Sequence, residues 1–276
     1  MIYYFIRAYC KYVLYFFTKK ISVEGLQNLP TSGAVLLASN HPNSFLDAII
    51  LNAVIKRPLW SLARGDAFKK PWVHNMLTQF YMMPVYRGSE GKNNLLKNDA
   101  TFDACQKLFA ANGQVLIFSE GICTNQNELL PLKKGTARLA QQVWQTDQEL
   151  VVMPVGLSYD SYRTFGKTVK VHFGTPMLKA EFDNINQDGF FTRTFNQRLS
   201  SQLNTLAFQS LPTTTWKDNP LLYLGIILHF PLYFIISKII QKKTAGTVFH
   251  DSGFFMLLLI CIPIYWLMIA GIIATF

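Results

Sequence analysis

The residues with the clearest chemical potential are a histidine and an aspartate in the segment Asn40-His41-Pro42-Asn43-Ser44-Phe45-Leu46-Asp47. Histidine titrates near neutral pH, so His41 is suited to take a proton from a hydroxyl group. Asp47 is placed to accept the other imidazole N–H, which would fix the tautomer and stabilise the imidazolium ion. The segment predicts a general-base pair. The alternative is that Asp47 only caps a helix and that His41 is an ordinary loop histidine.

The pair requires a strand, a turn and a helix to hold it. An apolar run ends near Ser39, Pro42-Asn43 is typical of a turn, and Ser44 suits a helix N-cap, with Asp47 in the third helical position of a capping box. Residues 22–212 as a whole alternate short apolar strands with helix-compatible segments. Three continuous runs, Ala34–Ala38, Val115–Phe118 and Leu150–Val155, predict an α/β domain whose sheet is covered by helices on both faces.

The composition indicates contact with lipid. Half of the 276 residues are hydrophobic, the mean hydropathy is positive, and the formal net charge is +10. A basic surface beside apolar segments suits an anionic bilayer or phosphorylated substrates better than nucleic acid, for which no motif is present. The four scattered cysteines form neither a disulfide framework nor a zinc pattern, and the histidines lack metal-ligand spacing, so no metal is expected.

Both ends of the chain are predicted to contact the membrane. Residues 1–21 are aromatic and basic, which favours an interfacial helix, with packing on the protein's own core as the alternative. Residues 220–276 contain two segments long enough to cross a bilayer, Leu221–Ile240 and Phe254–Phe276. Two crossings would place Lys242 and Lys243 on the outer side, against the positive-inside tendency, so a kinked re-entrant hairpin remains the alternative.

The segment from His41 to Asp47 resembles the histidine-aspartate motif of the glycerol-3-phosphate and 1-acylglycerol-3-phosphate acyltransferase superfamily. Five residues separate the pair here, whereas the commonest family form has four, and the longer spacing resembles the branch that acylates glycerol-3-phosphate or dihydroxyacetone phosphate. Three further blocks follow in the family's order and cover, with the first, residues 36–157: Ala63–Pro71 with Met83–Arg87, Phe118–Asn125, and Val151–Leu157.

The resemblance assigns roles to residues in these later blocks. It implies that Arg87, Glu120, Gly121, Lys133 and Lys134 bind the acceptor or its phosphate, and that Val152 and Pro154 lie near the acyl chain. Ser119 and Cys123 depart from the family pattern, in which proline and arginine are usual. A cysteine at the place of Cys123 occurs in some lysophospholipid acyltransferases, so this residue favours a lysophospholipid as the acceptor.

For the whole protein, the resemblance implies a mixed sheet. The apolar ends of the chain indicate a membrane-bound enzyme, and the scattered cysteines fit a catalytic domain on the reducing, cytoplasmic side. The donor would be an acyl thioester on acyl-CoA or acyl carrier protein, and the acceptor would be glycerol-3-phosphate or a lysophospholipid. No prosthetic group or metal is expected. A catalytically inactive, membrane-anchored lipid-binding or scaffolding protein with the same fold is the alternative.

Overall fold

In the computed structural model, the chain is described over residues 2–87, 92–126, 128–183 and 185–275. Met1 and Phe276, the outermost residues of the two predicted membrane-contacting segments, lie outside these ranges. Within them, one sheet runs through the molecule and is flanked by helices.

The sheet has seven strands within the described residues, in the order β1-β7-β6-β2-β5-β3-β4. They are β1 (Thr18–Glu24), β2 (Val35–Ser39), β3 (Leu59–Arg64), β4 (Met82–Val85), β5 (Gln114–Phe118), β6 (Val151–Tyr159) and β7 (Lys167–Phe173). Strands β2 to β6 are mutually parallel, whereas β7 runs antiparallel to β6 and pairs in parallel with β1. The sheet is therefore mixed, and the predicted α/β class is confirmed.

The central strand β2 is buried along its whole length because each face of the sheet carries its own core. Val35 and Leu37 pack into one apolar cluster, and Leu36 and Ala38 pack into the other, as the two-residue period of a strand requires. Strand β6 extends to Tyr159, four residues beyond the predicted run. That extension brings its last residues to the edge of the sheet where His41 lies.

The helices form a layer on each face. On the side of Val35 and Leu37 lie α1 (Ile2–Phe17), α2 (Phe45–Val54) and the C-terminal helices. On the other side lie α4 (Lys92–Ala110), α5 (Lys134–Trp144) and α6 (Asp188–Ala207), while α3 (Pro71–Gln79) packs near β4. Large aromatic side chains, including Trp144, fill the space between α5 and α6.

Helix α1 has two different faces. Val13, Leu14 and Phe17 are buried against the sheet, whereas Tyr4 and Phe5 are exposed. The helix ends at Phe17, and the basic residues after it belong to edge strand β1, so the predicted helical segment is shorter than residues 1–21. Its contact with a membrane remains a prediction.

The C-terminal region contains α7 (Pro220–Leu228), α8 (Phe230–Lys243) and α9 (His250–Ala274). The expected straight segment Leu221–Ile240 is instead broken, with α7 and α8 meeting at 82°. Pro231 lies in the first turn of α8, where a missing N–H costs nothing, and the broken geometry matches the kinked alternative. Among the described helices, α9 alone is unbroken and apolar enough to cross a bilayer by length and composition.

Candidate active site

His41 lies at the carboxyl end of β2, just beyond Ser39, and its ring contacts Asp47 in the first turn of α2. The imidazole Nδ1 is 2.9 Å from Asp47 Oδ2. The Asp47 side chain is fully buried, whereas that of His41 is 16% exposed. With Nδ1 bound to the carboxylate, Nε2 is the nitrogen available to accept a proton.

Asp47 is held by further donors besides the imidazole. The Tyr159 hydroxyl donates to Oδ1 at 2.6 Å, and the Asn43 backbone N–H donates to Oδ2 at 2.8 Å. Burial and the neighbouring Asp47 carboxylate raise the pKa of Tyr159, which keeps that phenol protonated as a donor. A buried carboxylate with this many donors is fixed in position and orients the imidazole.

The predicted capping box at the start of α2 is wrong. Ser44 adopts φ 53° and ψ −137°, and within the described residues its side chain makes no capping bond. Asp47 does occupy the third helical position, but it accepts from Asn43 rather than from the N-cap residue. The Ser44 N–H instead donates to Cys123 Sγ at 2.9 Å, and the Leu46 N–H donates to Ser252 Oγ at 3.1 Å. Side chains distant in sequence therefore satisfy this helix N-terminus.

Glu120 follows β5, and its carboxylate binds two backbone amides. Oε1 accepts the His41 N–H at 2.7 Å, and Oε2 accepts the Leu130 N–H at 2.8 Å. Burial raises the pKa of Glu120, and the two N–H donors oppose that rise. Both oxygens thus position the protein's own backbone, and the predicted role of Glu120 as an acceptor ligand remains a prediction.

Phe118, the last residue of β5, packs flat against the imidazole. The two ring centroids are 3.8 Å apart, with an interplanar angle of 11°. The ring of His41 is thus fixed on one face by an aromatic side chain and at Nδ1 by a carboxylate. These two contacts leave little freedom for rotation of the base.

Cys123 lies beside His41 and Asp47, but its thiol is not activated as a nucleophile. Burial, followed by the nearby Asp47 carboxylate, raises the pKa of the thiol to about 12, so it stays protonated at neutral pH. The Arg87 guanidinium opposes this rise in the pKa of Cys123. Arg87 follows the carboxyl end of β4, which runs parallel to β2, so it lies at the same edge of the sheet as His41.

Gly121 requires its glycine for two reasons. Its φ is +70°, and a Cβ built there would lie 2.9 Å from Cγ of Lys133. The aliphatic stem of Lys133 therefore crosses over Gly121, while the Lys133 N–H donates to the Ser119 carbonyl at 2.8 Å. Lys134 starts α5 and is exposed. The structure thus brings Lys133 against Gly121, and the predicted role of both lysines as acceptor ligands remains a prediction.

Val152 and Pro154 lie apart from this group. In the register of the sheet they pair with Leu36 and Ala38, within the buried length of β2 and before the edge where His41 lies. Val152 is fully buried in the core cluster that includes α5 and α6. Their predicted role near the acyl chain is untested.

Several residues that hold the site in place were not predicted from the sequence. Asn40 is buried, and its amide group bonds to both the N–H and the carbonyl of Leu157, tying β2 to β6. A polar residue directly after a buried strand and next to the base was the available signal. Tyr159 resembled a core residue, and nothing in the sequence connected Asp251, Ser252 or Lys167 to a segment more than a hundred residues away.

A partly open imidazole backed by a buried carboxylate, at the carboxyl ends of parallel strands, is an arrangement suited to removing a proton from a bound hydroxyl. A family profile described as Acyltransferase matches residues 20–158, which is half of the chain. The chain therefore belongs to the acyltransferase family, and the resemblance expected from the motif blocks is confirmed.

Individual relatives agree with this assignment over a shorter stretch. Lysophosphatidylcholine acyltransferase 1 of Homo sapiens is 29% identical over 119 residues, covering 42% of this chain and 21% of that protein. The Rattus norvegicus protein of the same name is 28% identical over the same length. The match thus spans about a fifth of the curated relatives.

One solved structure was also compared with the fold. The 1-acyl-sn-glycerophosphate acyltransferase from Thermotoga maritima aligns with a TM-score of 0.49 and 15% sequence identity, covering 72% of this chain and 78% of that one.

Proposed function

We propose that this protein transfers a fatty acyl group from a thioester, on acyl-CoA or acyl carrier protein, to a hydroxyl of a glycerolipid precursor. The observation that carries the proposal is the 2.9 Å contact between His41 Nδ1 and the buried Asp47 carboxylate. Membership of the acyltransferase family supports the reaction class.

In the proposed reaction, Nε2 of His41 removes the proton from the acceptor hydroxyl as the oxygen attacks the thioester carbonyl carbon. The carbon–sulfur bond then breaks, an ester remains on the acceptor, and the imidazolium returns its proton to the leaving thiolate. Asp47 stabilises the imidazolium between these steps. The raised pKa of Cys123 supports direct transfer, because a neutral thiol is a poor nucleophile and would not accept the acyl group readily.

Two acceptors fit the site to different degrees. A phosphate requires positive charge, which Arg87, acting on the Cys123 thiol, and Lys133, whose aliphatic stem packs on Gly121, can supply. Cys123 occupies the position where an arginine is usual in enzymes that bind a phosphate monoester, and the relatives are named for lysophosphatidylcholine. We therefore rank a lysophospholipid ahead of glycerol-3-phosphate as the acceptor.

The test offers labelled acyl-CoA and acyl carrier protein to the purified chain with glycerol-3-phosphate, dihydroxyacetone phosphate, 1-acylglycerol-3-phosphate and lysophosphatidylcholine. His41→Ala should lower turnover of the accepted substrate by roughly 10²–10⁴-fold, the usual contribution of a general base. His74→Ala, in exposed helix α3, is the matched control and should keep full activity. Full turnover by His41→Ala would contradict the mechanism, and no turnover by the native chain with any pair would favour the inactive binding protein.

We further propose that the catalytic domain lies on the cytoplasmic side and that α9 is the single crossing. The bent α7–α8 pair starts and ends on the domain: Asn219 donates to the Tyr15 and Thr18 carbonyls, and after α8 the Thr247 carbonyl accepts from Arg163. The first turn of α9 bonds to the catalytic segment through Ser252. Lys238, Lys242 and Lys243 then lie on the domain side, in accord with the positive-inside tendency.

A membrane-impermeant maleimide tests this topology in sealed inside-out vesicles, where the cytoplasmic face is outward. Gln241→Cys on α8 should react, and Thr275→Cys at the end of α9 should react only after detergent is added. The native chain, with its own cysteines, gives the background labelling. Equal labelling of both variants before detergent would contradict a single crossing.

A further inference from the structure

The first turn of α9 meets the catalytic segment through buried polar contacts. Asp251 Oδ2 accepts Asn43 Nδ2–H at 2.7 Å. Ser252 Oγ accepts the Leu46 N–H at 3.1 Å and donates to the Asn43 carbonyl at 3.2 Å. These two residues at the start of a largely apolar helix therefore bind Asn43, in the turn before α2, and Leu46, in its first turn.

Asp251 is itself anchored to the sheet. It is paired with Lys167 of β7, and both side chains are almost completely buried. Burial lowers the pKa of Lys167, and the Asp251 carboxylate opposes that change. A buried charge is tolerated only when it is paired and hydrogen-bonded, so each of these residues requires the other.

Asn43 connects this anchor to the catalytic pair. Its N–H donates to Asp47 Oδ2, the same oxygen that contacts His41 Nδ1. Its side-chain amide and its carbonyl are bound by Asp251 and Ser252. A shift of Asn43 would therefore move a hydrogen-bond donor that fixes the oxygen facing the base.

We propose that Asp251 and Ser252 are positioning residues for the His41–Asp47 pair, so that α9 completes the active site in addition to its role as an anchor. The inference rests on the proposed function, because it assumes that His41 is the base. Neither residue touches the reacting atoms. Their effect passes through Asn43, and misplacement of a catalytic group by even a short distance is costly in rate.

Ser252 gives the cleanest test, because removing one hydroxyl is the least disruptive change at this contact. In the full chain, reconstituted in lipid, Ser252→Ala should lower kcat about tenfold, the effect of losing one to two buried hydrogen bonds. KM for donor and acceptor should change less than about twofold, since Ser252 is buried and bonded to the backbone of Asn43 and Leu46. Ser252→Thr, which keeps the hydroxyl, should recover most of the lost kcat.

Ser237→Ala on α8 is the matched control, because the Ser237 hydroxyl is bonded to Gln241 of the same helix. It should leave kcat unchanged. Thermal unfolding of each variant reports whether the chain is folded. The inference is overturned if Ser252→Ala turns over at the native rate, or if Ser252→Thr is as slow as Ser252→Ala at an unchanged unfolding temperature.

Variants of the Asp251–Lys167 pair test the contribution of Asp251 independently of that of Ser252. Asp251→Asn keeps an oxygen near Asn43 but leaves Lys167 without its counter-ion, and kcat should fall. Adding Lys167→Gln removes the unpaired charge and should restore part of the loss, whereas a double variant no faster than Asp251→Asn would remove Asp251 from the proposal.

His41→Ala is assayed in parallel with these variants. If it retains full activity, the proposed mechanism fails whatever the serine variants do. If it is inactive while Ser252→Ala turns over at the native rate, only the positioning role fails.

Discussion

The two carboxylates beside His41 are both buried, yet they hold different parts of the same residue. Asp47 contacts the imidazole, whereas Glu120 accepts the backbone N–H of His41 and ties it to the segment at Leu130. The first contact can change with the protonation state of the ring. The second contact fixes only the position of the His41 backbone, from which the side chain extends. Two acids at similar distances in one site can therefore have separate roles, one in the chemistry and one in the geometry.

Among the variants of these two carboxylates, the one that removes the charge of Asp47 should lower kcat most. Asp47→Asn keeps the side-chain shape but removes the negative charge that stabilises the imidazolium and favours the correct tautomer, so kcat should fall roughly 10³–10⁴-fold. Turnover with the preferred acceptor measures the effect. Asp99→Asn, in an exposed ion pair with Arg138, is the control and should be fully active. A loss below tenfold would show that Asp47 only fixes the turn before α2 and takes no part in the chemistry.

Glu120→Gln should lower kcat less, because it weakens the hold on the His41 backbone but leaves the contact between His41 and Asp47 in place. One of the two amide contacts is lost, since the glutamine NH₂ group cannot accept an N–H, and a bond to a charged acceptor contributes about 1.5–3 kcal/mol. We expect kcat to fall about 10- to 100-fold. Glu181→Gln is the control: its Oε1 also accepts a backbone N–H, from Leu178, but at an exposed site.

The pH dependence of stability sharpens the same distinction. Because burial raises the pKa of Glu120 in the folded chain, its contribution to stability is present below its ordinary pKa and is lost as the pH rises through the raised value. The unfolding temperature of the native chain relative to Glu120→Gln should therefore fall as pH increases from about 4.5 to 7. A difference that is constant or increases with pH would contradict burial as the dominant cause.

The sequence predicted the contact between His41 and Asp47 but missed the distant residues that hold this pair, for a physical reason. The His41–Asp47 pair, Glu120 and Gly121 lie in short local segments whose residue types reveal their chemistry. The capping box failed because the N–H groups of α2 find distant partners, Cys123 and Ser252, which local spacing cannot show. Hydropathy records length and polarity, so it cannot distinguish a straight crossing helix over Leu221–Ile240 from the pair of helices bent by 82° that the structure has there.

The helix-covered α/β sheet was predicted from its continuous apolar runs, and its mixed character from the family resemblance, but the end of β6 was not predicted. Tyr159 continues an apolar strand, and only its hydroxyl distinguishes it from a core residue. In the fold that hydroxyl lies at the sheet edge and reaches Asp47. Whether a tyrosine belongs to a core or to a site depends on the strand's neighbours, which the sequence does not contain.

Tyr159→Phe should give the smallest change and tests how firmly Asp47 is held. The variant removes one donor from Oδ1 but leaves the Asn43 N–H and the imidazole on Oδ2, so the carboxylate keeps its contact with the base. Loss of one hydrogen bond costs about 1 kcal/mol, which corresponds to a fall in kcat of about fivefold. Tyr9→Phe, whose hydroxyl donates to the Leu259 carbonyl between α1 and α9, is the matched control. If Tyr159→Phe is as slow as Asp47→Asn, the phenol takes a direct part in orienting the base, and the separation of chemistry from geometry includes three residues instead of two.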